Sequence, residues 1–187
     1  MEKKIYDVIS SYEPYDEKEE NDKRVMLHYI ETNEDVLTRN NEIAHFTVSA
    51  WVTNQTHDKI LMIYHNIYDS WAWVGGHADG DSDFLHVAKK ELEEETGVTN
   101  VKVLNDGLFG LNIVTVDNHI KRGKQVSSHL HFDVEYLLEA NEEEVLRMKE
   151  DENSGVKWIP VDEVISSSSE EKMKPIYKRL LEKMKEY

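Results

Sequence analysis

The sequence predicts an α/β sandwich built on a mixed β-sheet, with an N-terminal helical extension in front of it. Three observations carry that prediction. Strand-like runs with a period of two begin at Phe46 and recur as far as Pro160. One helical segment, Phe84 to Thr96, interrupts them, and a second, from Pro175, closes the chain. Helices set between strands in 187 residues suggest one layered domain. Residues 1–42 read as the extension and 43–187 as the main domain.

The extension is polar and partly helical. Val25, Met26, Tyr29 and Ile30 form a modest apolar stripe, and Glu17 to Arg24 reads as too charged for the core. In the first strand Phe46, Val48, Ala50 and Val52 alternate with His45, Thr47, Ser49 and Trp51. Asn54 to Asp58 is a turn, Lys59 to Tyr64 a strand, and Trp71 to Val74 another that Gly75-Gly76 is expected to end. The helix Phe84–Thr96 places Leu85, Ala88 and Leu92 inward, with Gly97 as its stop. Val101 to Val116 is strand-like with breaks near Gly107 and Gly110. Val126 to Leu138 and Gly155 to Pro160 are further strands. Ser166 to Ser169 connects to the last helix, where Pro175 suits the first turn and Ile176, Leu180, Leu181 and Met184 face inward.

Composition excludes several functions. The net charge of −16 opposes binding to DNA, RNA or an anionic membrane. The 39% hydrophobic content, with 4 Trp and 9 Tyr, still supports a sizeable core rather than disorder. There is no cysteine, which removes disulfides, thiolate metal sites and Cys nucleophiles. The opening Met-Glu-Lys-Lys-Ile-Tyr-Asp holds no apolar signal core, and no apolar run nears the ~20 residues of a membrane span. A cytoplasmic protein is expected, and a homodimer is left open.

The densest charge lies in residues 76–98, with seven carboxylates against two lysines. Glu91, Glu94 and Glu95 stand at i, i+3 and i+4, on one helix face. Like charges at that spacing cost stability, and the C-terminal half of a helix disfavours anions. A bound cation offsets both costs. Carboxylate oxygens without thiolates suit Mg²⁺ or Mn²⁺, and Mg²⁺ commonly shares its site with substrate phosphates.

The stretch GGHADGDSDFLHVAKKELEEETGV, Gly75 to Val98, resembles the Nudix box, G-x5-E-x7-R-E-U-x-E-E-x-G-U with U aliphatic. Gly76, Glu91, Leu92, Glu94, Glu95, Gly97 and Val98 match in register. The surrounding strands, and Trp158 in Gly155–Pro160, are also similar to that family, so the resemblance spans roughly residues 43–165. Two positions depart: Ser82 stands where the family has Glu, and Lys90 where it has Arg. Lys keeps the charge but loses the bidentate fork. Asp81 or Asp83 is the nearest substitute for the missing carboxylate.

The resemblance implies an α/β/α sandwich and a Mg²⁺-dependent hydrolase, with Mn²⁺ as a substitute cation. Such an enzyme splits the pyrophosphate bond of a nucleoside diphosphate linked to another group. It implies Glu94, Glu95 and the Gly75 carbonyl as metal ligands, and Glu91 as a further ligand or the base that activates water. Glu152, in the loop before the strand with Trp158, is a further catalytic candidate or a solvated loop acid. The expected partner is a small nucleotide, with no nucleic-acid polymer and no membrane. A non-catalytic nucleotide-binding or sensor module of the same fold is the alternative, admitted by Ser82 and Lys90. An isopentenyl-diphosphate isomerase also resembles the box, but that type needs a cysteine.

Three other groups invite a substrate reading. His129, His131, Asp133 and Glu135 share one face of their strand, which is either wet or lines the substrate cleft. The aromatic run around Trp73 either packs in the core or offers a base a stacking surface. Lys121-Arg122-Gly123-Lys124 reads as a hairpin turn with solvated charges, or as a lure for an anion. His131, Trp73 and Lys90 are the residues expected to meet substrate. The basic residues of the last helix are expected on its exposed face.

Overall fold

The computed structural model describes residues 2–121, 123–149 and 151–187. Two helices open the chain, α1 (Glu2–Ser11) and α2 (Glu17–Thr32). Asp16 caps α2 by accepting the Glu19 N–H at 2.8 Å. Met26 and Ile30 of the expected stripe are buried, Tyr29 meets Phe132 edge-on at 5.1 Å between centroids, and Val25 is exposed. Ile5, Ile9, Met26 and Ile30 enter the same core as Phe46 and Phe84, so the helical pair packs directly onto the sheet.

The main sheet contains β1 (Ala44–Thr53), β2 (Lys59–His65), β3 (Ser70–Ala72), β4 (Val74–His77), β5 (Val101–Val103) and β6 (Gly110–Val116). A separate hairpin pairs β7 (His119–Lys121) with β8 (Lys124–Val126). It carries the basic cluster expected at a turn, of which Arg122 lies outside the described residues. The sheet is completed by β9 (His129–Ala140) and β10 (Asn153–Pro160), in the order β10-β2-β1-β9-β5. β3 pairs with β2, β4 with β1, and β6 with β9. β1 and β9 run parallel while the other pairs are antiparallel, so the sheet is mixed as expected.

Helices cover both faces. α3 (Phe84–Thr96) joins α1 and α2 over Phe46, Val48, Ala50 and Val52. Beyond the short α4 (Val164–Ser167), α5 (Lys174–Met184) packs Ile176, Tyr177, Leu180 and Met184 around Trp51 on the other face. Every residue of β1 is therefore buried, although its alternation suggests only one core face.

Four expectations are corrected. Gly75-Gly76 does not end a strand: β4 runs through both to His77, paired with β1. The absent side chains permit this, because a Cβ on Gly75 would lie 2.6 Å from Ser49 Oγ and from the Val48 carbonyl. The face of β9 that bears Asp133 and Glu135 is not wet there; both carboxyls are buried, at 4% and 0% exposure. Glu19 is fully buried inside the stretch that reads as too charged for the core. Its carboxylate receives Lys183 Nζ at 3.0 Å and Arg179 Nε at 3.2 Å, so these two basic residues of α5 are turned inward, away from its exposed face.

Candidate active site

The candidate site is assembled on α3 and on the glycine pair of β4. α3 begins at Asp83, whose side chain accepts the His86 N–H at 3.2 Å, and ends at Gly97, whose φ of 78° is the left-handed geometry of a helix stop. Asp81 accepts the Asp83 N–H at 2.8 Å and meets His86 Nδ1 at 2.8 Å. Asp81 and Asp83, the substitutes considered for the carboxylate missing at Ser82, are thus engaged at the helix start. Arg39 anchors the preceding loop by donating to Asp79 from Nε at 2.9 Å.

Glu91 and Glu95 are buried on α3 and Glu94 is exposed. Glu95 Oε2 accepts the Gly75 N–H at 3.0 Å, and Oε1 accepts Asn153 Nδ2 at 3.3 Å. The Glu91 carboxyl lies against Gly76, where a Cβ would stand 2.4 Å from its carboxyl carbon. Lys90 Nζ lies 3.4 Å from both Glu91 Oε1 and Glu94 Oε1. Lys149 Nζ stands 3.4 Å from Glu94 and 2.8 Å from Glu152, so it joins the loop carboxylate to the helix. Gly75, Lys90, Glu91, Glu94, Glu95 and Glu152 therefore belong to one neighbourhood.

Burial dominates the electrostatics. It pushes Glu95 up to about 8, against the Gly75 N–H and Asn153 that favour its ionised form, and Glu91 and Glu152 add to the rise. Glu91 is also raised, by burial first, with Lys90 opposing and Glu94 adding. Acids that resist ionisation when crowded together are suited to a divalent cation, which would lower their pKa values again. The side chains gathered here offer carboxylate oxygens, the set for a hard ion such as Mg²⁺ or Mn²⁺. The residues present fit that group.

Trp73 and His131 lie elsewhere. Both line a cavity of about 70 Å³ with Thr47, Asp133, Lys172 and Tyr177, and no box glutamate is among its lining residues. Trp73 meets Tyr177 edge-on at 5.5 Å, so it packs and borders the cavity at once. Burial, with His77, His45 and His129 adding, lowers His131 to about 2 and keeps its imidazole neutral. Sequence reasoning missed Lys149 and Asn153. Asn153 adjoins Glu152 in sequence, a signal within reach; Lys149 carries none until the loop is folded onto α3.

A family model, the NUDIX domain, matches residues 43–184. An RNA pyrophosphohydrolase of Pelagibacter ubique is 29% identical over 119 residues, 62% of this chain and 75% of that protein. Among solved structures, an Ap4A hydrolase of C. elegans superposes with a TM-score of 0.54 at 17% identity, over 75% of this chain and 95% of that one. The NUDIX domain of Shewanella oneidensis NrtR, complexed with ADP ribose, gives a TM-score of 0.53 at 17% identity, over 85% and 96%. These two likenesses show the fold, and the sequence match extends over more than half the chain. This protein belongs to the NUDIX domain family.

Proposed function

We propose that this protein is a Mg²⁺- or Mn²⁺-dependent hydrolase that cleaves the pyrophosphate bond of a nucleoside diphosphate linked to another group. Pyrophosphate hydrolysis is the activity that the family and the Pelagibacter relative support. The observation that carries the reading is the gathering of Glu91, Glu94 and Glu95 against Gly75-Gly76, with Glu95 held by the Gly75 N–H at 3.0 Å.

A divalent cation held by Glu91, Glu94, Glu95 and the Gly75 carbonyl would offset diphosphate charge and strengthen water as an acid. Glu91, as the alternative to serving as a cation ligand, is the first candidate to accept the proton of the attacking water. Glu152 is the second candidate base. Water oxygen bonds to one phosphorus, the bridging P–O bond breaks, and the departing phosphate takes the bridging oxygen. Lys90 and Lys149 balance the carboxylates from the exposed side. Trp73, Tyr177 and His131 border the cavity proposed for the base or its appended group. Residues 43–187 form the proposed catalytic domain and 1–42 its extension, in a cytoplasmic protein. Among the described residues no helix is long and apolar enough to cross a membrane.

The substrate proposed is a small nucleotide, because the charge of −16 opposes a polyanion. Phosphate release with Mg²⁺ tests this over nucleoside triphosphates, nucleotide sugars, dinucleoside polyphosphates and an oligoribonucleotide with a 5′-polyphosphate. Glu95→Gln is expected to lower turnover by about 100-fold or more with the melting temperature little changed. Ligand binding without turnover on any of these would establish the non-catalytic alternative.

A further inference from the structure

We propose that His45, His77 and His131 form a second cation site, separate from the carboxylate cluster and suited to a borderline first-row transition ion of the Zn²⁺ class. Three neighbouring strands bring them together. His45 on β1 stands in register with His131 on β9, and His77 at the end of β4 pairs with Thr47, two residues along β1. One potential ligand atom from each lies within 4.8 Å of the others. Ring centroids are 5.2 Å apart for His45 and His77, 5.1 Å for His45 and His131, and 4.9 Å for His77 and His131. A tetrahedral ion with bonds of about 2.0–2.1 Å wants its ligand atoms roughly 3.3 Å apart, so small side-chain rotations close the set.

An independent observation concerns His45. It is 4% exposed, and its Nε2 is buried without a hydrogen-bond partner. Its Nδ1 lies 2.9 Å from the Asn41 carbonyl, which can only accept, so Nδ1 carries the proton and Nε2 bears a lone pair. A ring oriented by a backbone carbonyl, with the other nitrogen left to a metal, is the usual support of a histidine ligand. An orphaned buried acceptor otherwise leaves a desolvation cost that nothing in the fold repays. His129 is likewise oriented by a backbone carbonyl, but its Nε2 has a partner. Its Nδ1 lies 2.8 Å from the Ser127 carbonyl, and its Nε2 is 3.1 Å from His131 Nε2, a spacing close to that of two ligands on one ion.

The donor set separates this site from the other one. Imidazole nitrogens favour Zn²⁺, Ni²⁺, Co²⁺ and Cu²⁺, whereas Mg²⁺ is held by oxygens. A cation here would tie β4 to β1 and β9 two residues beyond Gly75. His131 would also place it at the border of the aromatic cavity.

The test uses the full chain freed of metal, with Co²⁺ alone as the probe and no substrate, so its outcome is independent of the hydrolytic reading. One equivalent of Co²⁺ is expected to give visible d–d absorption that persists under excess Mg²⁺ and is displaced by Zn²⁺. The spectrum should survive in the Glu94→Gln, Glu95→Gln double variant. Co²⁺ affinity should fall at least about a hundredfold in His45→Asn and in His131→Asn. If the buried His45→Asn fails to fold, the half-buried His77→Gln gives the same reading, and Zn²⁺ should raise the melting temperature of the wild type but not of that variant. Absorption retained in the histidine variants, absorption lost in the glutamate variant, or none in the folded wild type would overturn the proposal.

Discussion

Glu95 is pulled in two directions at once: burial favours its neutral form, while the Gly75 N–H and Asn153 favour the anion. The site exists because backbone and helix approach this closely, and Gly76 allows that approach. Gly76→Ala would drive a Cβ into the Glu91 carboxyl, which is the end of a flexible side chain and can move. The expected result is a fall in kcat of roughly tenfold or more with little loss of stability, read by steady-state kinetics beside thermal melts. Lys90→Ala removes the cation 3.4 Å from Glu91 and Glu94, and should lower kcat with a smaller effect on KM. The three glutamates are legible in the sequence because their spacing is local to one helix. The histidine cluster is not, since His45 and His131 become neighbours only when distant strands pair. Likewise nothing local distinguishes Glu19 from the solvated acids around it.

At the scale of the element, α3 is the best-read segment: its limits coincide with those expected, Phe84 to Thr96. Signals at both ends agree with the apolar stripe between them. Asp83 caps the first turn and Gly97 supplies the left-handed stop. Asp83→Ala should cost about 1 kcal/mol, measured as a shift in the urea midpoint with unchanged slope. β4 departs from expectation because a glycine pair is a common breaker, and only the neighbouring strand shows why it is extended here. β9 departs from the wet-face expectation, though not from the cavity-lining one, for a similar reason. A polar alternation is read as solvent-facing, yet Asp133 finds Thr47 Oγ1 at 2.5 Å and Ser49 Oγ at 3.1 Å, both on β1.

Across the whole molecule a buried polar chain links the two ends to the sheet. Lys183 reaches Tyr12 Oη at 2.6 Å and Glu19 at 3.0 Å. Arg179 joins Glu19 to Asn112, and Asn112 Nδ2 reaches Glu135 Oε1 at 2.6 Å. Glu19→Ala would strand two buried cations and is expected to cost roughly 3–5 kcal/mol in chemical denaturation. Asp133 and Glu135 give the fold a pH dependence. Burial raises Asp133 to about 6 and Glu135 well above the usual carboxylate range. Acids with folded pKa values above their unfolded ones hold extra protons in the native state, so stability is complete below about pH 4 for this pair and falls as pH rises through 6 and beyond. Glu135→Gln should flatten that decline, measured as unfolding free energy between pH 5 and 8.

The Glu19 contacts also bear on how the chain is made. Its partners are about 160 positions later, and β1 likewise waits for β9 to supply its parallel neighbour. Contacts so remote in sequence must close long loops before they return any free energy. The ion pairs that hold α2 to α5 therefore form only after α5 has been made. Until α5 is released, the acid of Glu19 lacks both of its basic partners, and burying it without them is costly.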